Sequence, residues 1–175
     1  MMRILEKENI QLIASLELLK ILYNSLVESI LTYCIVIWGG GYKNALRNVT
    51  MSQNTVIKII FKKNRRHSTE ALYKETKILP LRALFVYRCL IYLPKLRSHL
   101  PICEKKYNFR NTSAVLRSPL YVKSSTQRIA TYFAPKFFNI LPHHIKILDQ
   151  NKLRYKILTK QYVIENYPVF ITAMH

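Results

Sequence analysis

Glycine is almost missing from this chain: Gly39, Gly40 and Gly41 are the only three in 175 residues, and they are consecutive. Phosphate-cradling loops need glycines at set spacings followed by a Lys-Ser or Lys-Thr pair, and no such pair follows this cluster. Aspartate is scarcer still, Asp149 being the only one, and four of the glutamates fall in the first 28 residues. Two-metal phosphoryl chemistry needs converging carboxylates to hold both ions, and acids so scattered assemble no such site. His67, His99, His143, His144 and His175 form no recognisable triad with an acid and a Ser or Cys. The pair His143-His144 also lacks a carboxylate or cysteine at metal-ligand spacing. Cys34, Cys89 and Cys103 are odd in number and widely separated, so no disulfide framework within one chain uses all three, which fits a reducing compartment. The expectation is no catalysis by this chain alone, no metal and no cofactor.

Long uninterrupted apolar runs are absent too. Crossing a bilayer takes ~20 largely apolar residues, and Lys20, Asn24 and Glu28 break the most apolar region, so no membrane span is expected. The opening MMRILEKENIQ puts charges where a signal peptide needs an apolar stretch, so the expectation is a chain that is not secreted, in the nucleus or cytoplasm. The same opening reads as the lead-in turns of a first helix, with no domain or linker before it. Asn48 and Asn111 begin glycosylation-type triplets short enough to occur by chance.

What is abundant is positive charge. The formal net charge is +19; residues 1–28 carry a net −1, so the rest carries +20. A surplus of this kind repels itself on a folded body and attracts polyanions, making nucleic acid the natural counterweight. With half the residues apolar, the chain can also bury a real core.

The apolar pattern is helical. Leu12, Leu16, Leu19, Tyr23, Leu26, Ile30, Tyr33 and Ile37 recur at alternating steps of four and three, which places them on one helix face. Lys20, Asn24 and Glu28 then form the wet face, Lys20 and Glu28 lying too far apart to pair. The run from Ile30 to Trp38 reads as buried nearly all round, and the three glycines end the helix through left-handed conformations. A second helix is expected over 42–61, with Leu46, Val49, Val56, Ile57 and Ile60 inward. It runs into Lys58 and the cluster Lys62, Lys63, Arg65 and Arg66, which either neutralises the helix C-terminus or meets phosphates.

Residues 68–75 read as a short helix capped by Ser68 or Thr69. After Pro80 a third amphipathic helix is carried by Leu81, Leu84, Phe85, Arg88, Cys89 and Tyr92, until Pro94 kinks or ends it. If it is kinked, residues 96–100 continue it before Pro101. Residues 104–131 read as loop, with a short extended piece at 116–122. There Lys105, Lys106, Arg110, Arg117, Lys123 and Arg128 interleave with Tyr107, Phe109, Tyr121 and Tyr132. Alternating cations and rings either hold a single strand, phosphates on cations and bases on rings, or pack the loop on helices. Residues 133–142 form an aromatic helical segment that docks on the bundle. Asp149 caps a last helix running through Leu153, Ile157 and Leu158, and the apolar end from Tyr162 is undecided. The expected fold is mostly α: a small helical bundle over residues 1–101, then a basic, loop-rich C-terminal extension with short helices over 102–175.

The string Leu22-Tyr23-Asn24-Ser25-Leu26-Val27-Glu28-Ser29-Ile30-Leu31-Thr32-Tyr33, followed by Ile37-Trp38-Gly39, resembles a segment of jockey-like non-LTR retrotransposon reverse transcriptases. In that family it lies just after the polymerase palm. Further blocks agree in order: Gln53 with 56–60, Leu72-Tyr73-Lys74-Glu75, Ile78-Leu79-Pro80-Leu81, residues 107–111, residues 132–142 and Ile145-Lys146. The resemblance runs from about Leu19 to Leu158. Phe109, Ala134 and Phe138 depart from it, standing where Thr, Gly and Trp are usual. It implies a parent enzyme that copies RNA into DNA with aspartates of a palm that this sequence does not contain. What is here corresponds to the thumb, which holds the primer-template duplex, and the extension after it.

The resulting expectation is a non-catalytic remnant of an RNA-directed DNA polymerase. It grips nucleic-acid backbone, RNA or DNA, through Lys62, Lys63, Arg65, Arg66, Lys105, Lys106, Arg110, Arg117 and Arg128. The Leu19–Tyr33 face would meet a palm or another helical protein. The alternatives are a helical protein-interaction module and a decayed copy with no selected role.

Overall fold

The computed structural model describes residues 15–96, 116, 118–119, 123, 129–148 and 151–174. Among these the chain is helical and connecting turn, with no strand, as the periodicity predicts. Helix α1 covers residues 15–32 and contains a wide π turn, Asn24–Glu28. A single further turn, α2, spans Ile35–Trp38. Then come α3 (Arg47–Ile60), α4 (Thr69–Thr76), α5 (Leu81–Leu96), α6 (Ala130–Ile140), α7 (His143–Ile147), α8 (Lys152–Glu165) and α9 (Tyr167–Thr172). The expected stripe residue Leu12, the continuation through 97–100, most of the 116–122 piece and the capping residue Asp149 lie outside the described residues.

The first helix departs from its expected face, and hydroxyl groups supply the reason. Ser25 Oγ donates to the carbonyls of Ile21 (2.9 Å) and Leu22 (3.1 Å), Ser29 Oγ to Ser25 O, and Thr32 Oγ1 to Ser29 O (3.1 Å). Such back-bonding competes with the helical ladder and favours wide turns. One residue inserted by a π turn rotates everything after it by about 100° around the axis. Leu16, Leu19 and Tyr23 therefore face inward, Tyr23 being 1% exposed, whereas Ile30 (73%) and Tyr33 (77%) point to solvent together with Leu26 and Ile37. The run expected to be buried all round is thus half exposed. Val27, Leu31 and Ile35 take over the inward positions. Glu28, expected on the wet face, is carried inward to Arg88 of α5 (3.7 Å), and Lys20 pairs with Glu17 (2.8 Å).

The glycines do not break the helix as expected. None has positive φ; the left-handed residue is Cys34 (φ 49°), which separates α1 from α2. Gly39 serves close packing instead. A Cβ there would stand 2.6 Å from both Ile35 O and the Phe85 ring, so the α2 backbone can approach α5 only without a side chain.

Helix α5 is the centre. It was expected to be amphipathic, yet Ala83, Val86, Leu90 and Leu93 are as buried as Leu81, Leu84, Phe85 and Cys89, because α2, α6, α8 and α9 all pack on it. Tyr92 reaches solvent, and Pro94 lies inside a helix that runs on to Leu96. Phe85 meets Phe133 and Phe137 of α6 edge-on (5.9 and 6.1 Å), and Phe137 meets Phe170 of α9 (5.9 Å), so the 133–142 segment docks on the bundle as expected. This core joins residues on both sides of position 101.

Helix α8 starts at Asn151, whose side chain accepts from the Arg154 N–H (3.3 Å). It buries Tyr155, Thr159 and Val163 and leaves Leu153 and Ile157 exposed. Apolar residues occur on both of its faces, so spacing alone could not choose between them.

A second, smaller cluster gathers Tyr23, Ile57, Phe61, Leu72, Tyr73 and Ile78 from α1, α3 and α4. Gln53, 2% exposed, ties it to the main core. Its Nε2 donates to Tyr23 Oη (2.8 Å) and Leu79 O (3.1 Å), and its Oε1 accepts the Leu81 N–H (2.8 Å). Burial pushes the Tyr23 phenol up to about 12.

Gln53→Leu leaves three buried polar groups without partners at roughly 1–3 kcal/mol each, so a loss of at least about 3 kcal/mol is expected in urea denaturation. Gly39→Ala forces α2 off Phe85 and should cost about 1–3 kcal/mol, the usual range for an overfilled core, read from the same transition.

Candidate nucleic-acid interface

Helix α3 has apolar residues on one side, with Leu46, Gln53 and Ile57 buried and Val49, Val56 and Ile60 partly so. Its end is where four of the expected contact residues meet. The Lys63 N–H bonds to Lys58 O (2.8 Å) and the Lys62 N–H to Ile59 O (3.1 Å). That double closure normally places a glycine in the left-handed position. Here the position is held by Lys62, at φ 51°.

The turn is held from both sides. Lys58 Nζ donates to Arg65 O (2.8 Å), Asn64 Oδ1 accepts the Arg66 N–H (3.3 Å), and Asn64 O accepts the His67 N–H (2.9 Å). Lys58 is therefore engaged in shaping the turn. Lys63 reaches across to Glu75 near the end of α4 (3.4 Å). That leaves Lys62, Arg65 and Arg66 exposed and in no ion pair among the described residues. Three cations within five residues on a constrained turn present charge without first having to be ordered, which lowers the cost of meeting a polyanion. The C-terminal dipole of α3 accounts for Lys62; Arg65 and Arg66 lie beyond its last turn.

Lys105, Lys106, Arg110, Arg117 and Arg128 lie outside the described residues, as do Tyr107, Phe109 and Tyr121. Tyr132 is described, and its ring is partly covered. It lies in α6 with Lys136 Nζ 4.2 Å above its centroid and Phe133 edge-on at 5.4 Å. Of the two roles open to these rings, Tyr132 packs, here within its own helix, where i and i+4 side chains meet.

The fold also collects cations that no run of the sequence announces. Lys20, Lys74, Lys77 and Lys160, from α1, α4 and α8, line one cleft of about 650 Å³. No local signal could have found them, since they converge only through packing. Among the described residues no group of His, Cys, Asp and Glu comes together as a metal site, and no helix is long and apolar enough to cross a membrane. No family model, curated protein or solved structure matches the chain.

Lys62→Gly separates the turn's backbone from its charge. Relief of the left-handed strain is worth about 1–2 kcal/mol, against about 0.5–1 kcal/mol of extra chain entropy for glycine. The variant should therefore gain roughly 0.5–1 kcal/mol in a urea titration.

Proposed function

We propose that this chain is a non-catalytic, thumb-like remnant of a non-LTR retrotransposon RNA-directed DNA polymerase that binds nucleic-acid backbone without regard to sequence, in the nucleus or cytoplasm. The observation that carries the binding is the constrained turn after α3, with Lys62, Arg65 and Arg66 exposed and in no ion pair among the described residues, on a chain of net charge +19. Lysine and arginine contacts to phosphate release counterions and carry no sequence information. Lys105, Lys106, Arg110, Arg117 and Arg128 extend the same contact in this reading, and its ancestry rests on the order of sequence blocks set out above.

A second reading is a helical protein-interaction module, favoured by one feature: Leu26, Ile30, Tyr33 and Ile37 leave an apolar stripe of α1 and α2 in solvent. Contiguous exposed apolar surface commonly marks a protein contact. Because Leu19 and Tyr23 are committed to the interior, a palm or other helical partner would meet this displaced stripe rather than the Leu19–Tyr33 face.

A filter-binding titration at about 50 mM salt should show RNA or DNA retention, with log affinity falling against log salt at a slope of about −3 for the three or four contacts of the turn, and more steeply as the later cations join. Changing Lys62, Lys63, Arg65 and Arg66 to Glu should abolish retention. Arg65→Ala should weaken it more than Lys63→Ala, since Lys63 already has Glu75. No retention at low salt would remove this function, and binding of a helical protein that survives the four charge reversals but is lost on Ile30→Glu would favour the second reading.

A further inference from the structure

The lysine-lined cleft continues into a second one. That neighbour, about 680 Å³, shares Lys74, Ile78, Ile164 and Glu165 with the first, so the two form one groove between α4 and the α8–α9 arm. Its two ends differ in chemistry. At one end stand Lys20, Lys74, Lys77 and Lys160; at the other the lining is largely apolar, with Leu79, Pro80, Ala83, Pro168 and Ile171. Ile78 and Ile164 run between them, and Ile157, exposed despite its size, stands at the lysine end.

The charges are not equally available. Lys20 is held by Glu17 (2.8 Å) and Lys74 by Glu70 (3.1 Å), and Glu165 at the shared wall accepts from Gln161 (3.2 Å). Lys77 and Lys160 are in no ion pair among the described residues. Lys77, moreover, occupies a left-handed position at the end of α4 (φ 55°), where glycine would be less strained.

We infer that this groove is a docking site for an acidic peptide segment that carries aliphatic side chains, the carboxylates meeting Lys77 and Lys160 and the aliphatic groups lying over Ile157, Ile78 and Ile164. Charge complementarity selects the sign of the partner. The lining selects its kind. A single strand lying in a groove stacks its bases on open rings beside the cations, but here Tyr73 is buried with its hydroxyl on Asn54 (2.8 Å), and Tyr167 is partly buried. Aliphatic walls with a cationic rim suit leucine-like side chains flanked by Glu or Asp. The site is separate from the turn after α3 and does not rest on the function proposed for it.

The test is fluorescence anisotropy on the full chain with a short labelled peptide of alternating glutamate and leucine. A lysine–leucine peptide serves as control and a single-stranded oligonucleotide as competitor. Saturable binding of the acidic peptide alone is expected, weakened about tenfold by Lys77→Gly with Lys160→Gln, two partly exposed ion pairs being lost. Ile157→Glu, an exposed position, should weaken it comparably, and Arg65→Glu with Arg66→Glu should leave it unchanged. Lys77→Gly relieves strain, so a folded variant is available, checked by its urea transition. Failure of the acidic peptide to bind, binding indifferent to the groove substitutions, or an oligonucleotide displacing the peptide from the groove would each overturn the assignment.

Discussion

One buried amide holds the two halves of this core together. Gln53 satisfies the Tyr23 hydroxyl, the Leu79 carbonyl and the Leu81 N–H at once, and so fixes α1, α3 and the entry to α5 in a single arrangement. Apolar packing is tolerant of sliding, whereas three hydrogen bonds in a dry interior are not, because any slip leaves polar groups unpaired. Helix α5 then starts at a set place and angle. Around it Phe85, Phe133, Phe137 and Phe170 close by edge-on contacts. Both the basic turn after α3 and the groove beside α4 take their positions from that joint.

Scarcity of glycine has a structural counterpart. Cys34, Lys62 and Lys77 occupy left-handed positions at helix ends or breaks, while the three glycines avoid them. The local cost at each is of order 1–2 kcal/mol, and two of the three positions carry lysine beside a helix C-terminus, where the dipole offsets part of that cost. Lys62 stands in the basic turn after α3 and Lys77 in the groove beside α4. Strain kept at a charged position is a reason to look there for binding, since a glycine would serve the backbone better.

The helical character and most element positions were legible in the sequence. The Ser68 cap, the helix after Pro80 and the docking of 133–142 follow from local rules, and the structure has them. Faces were harder to read. A stripe that is regular on paper assumes 3.6 residues per turn throughout, and the π turn at Asn24–Glu28 breaks that assumption, exposing Ile30 and Tyr33 and drawing Glu28 inward. Helix α8 has apolar residues on both sides, and Tyr155 rather than Leu153 or Ile157 was chosen by what α5 offered it.

By itself the sequence determined the fold class, the large positive charge and the cluster Lys62, Lys63, Arg65 and Arg66, because helical periodicity, composition and nearness along the chain are local properties. Only the tertiary structure decided which of those cations are available, since Lys63 is paired by a glutamate twelve positions away. It alone decided that Gln53 is a buried joint and that lysines at 20, 74, 77 and 160 share one cleft. Those outcomes depend on which surfaces meet when the chain closes, and a linear pattern does not carry that information.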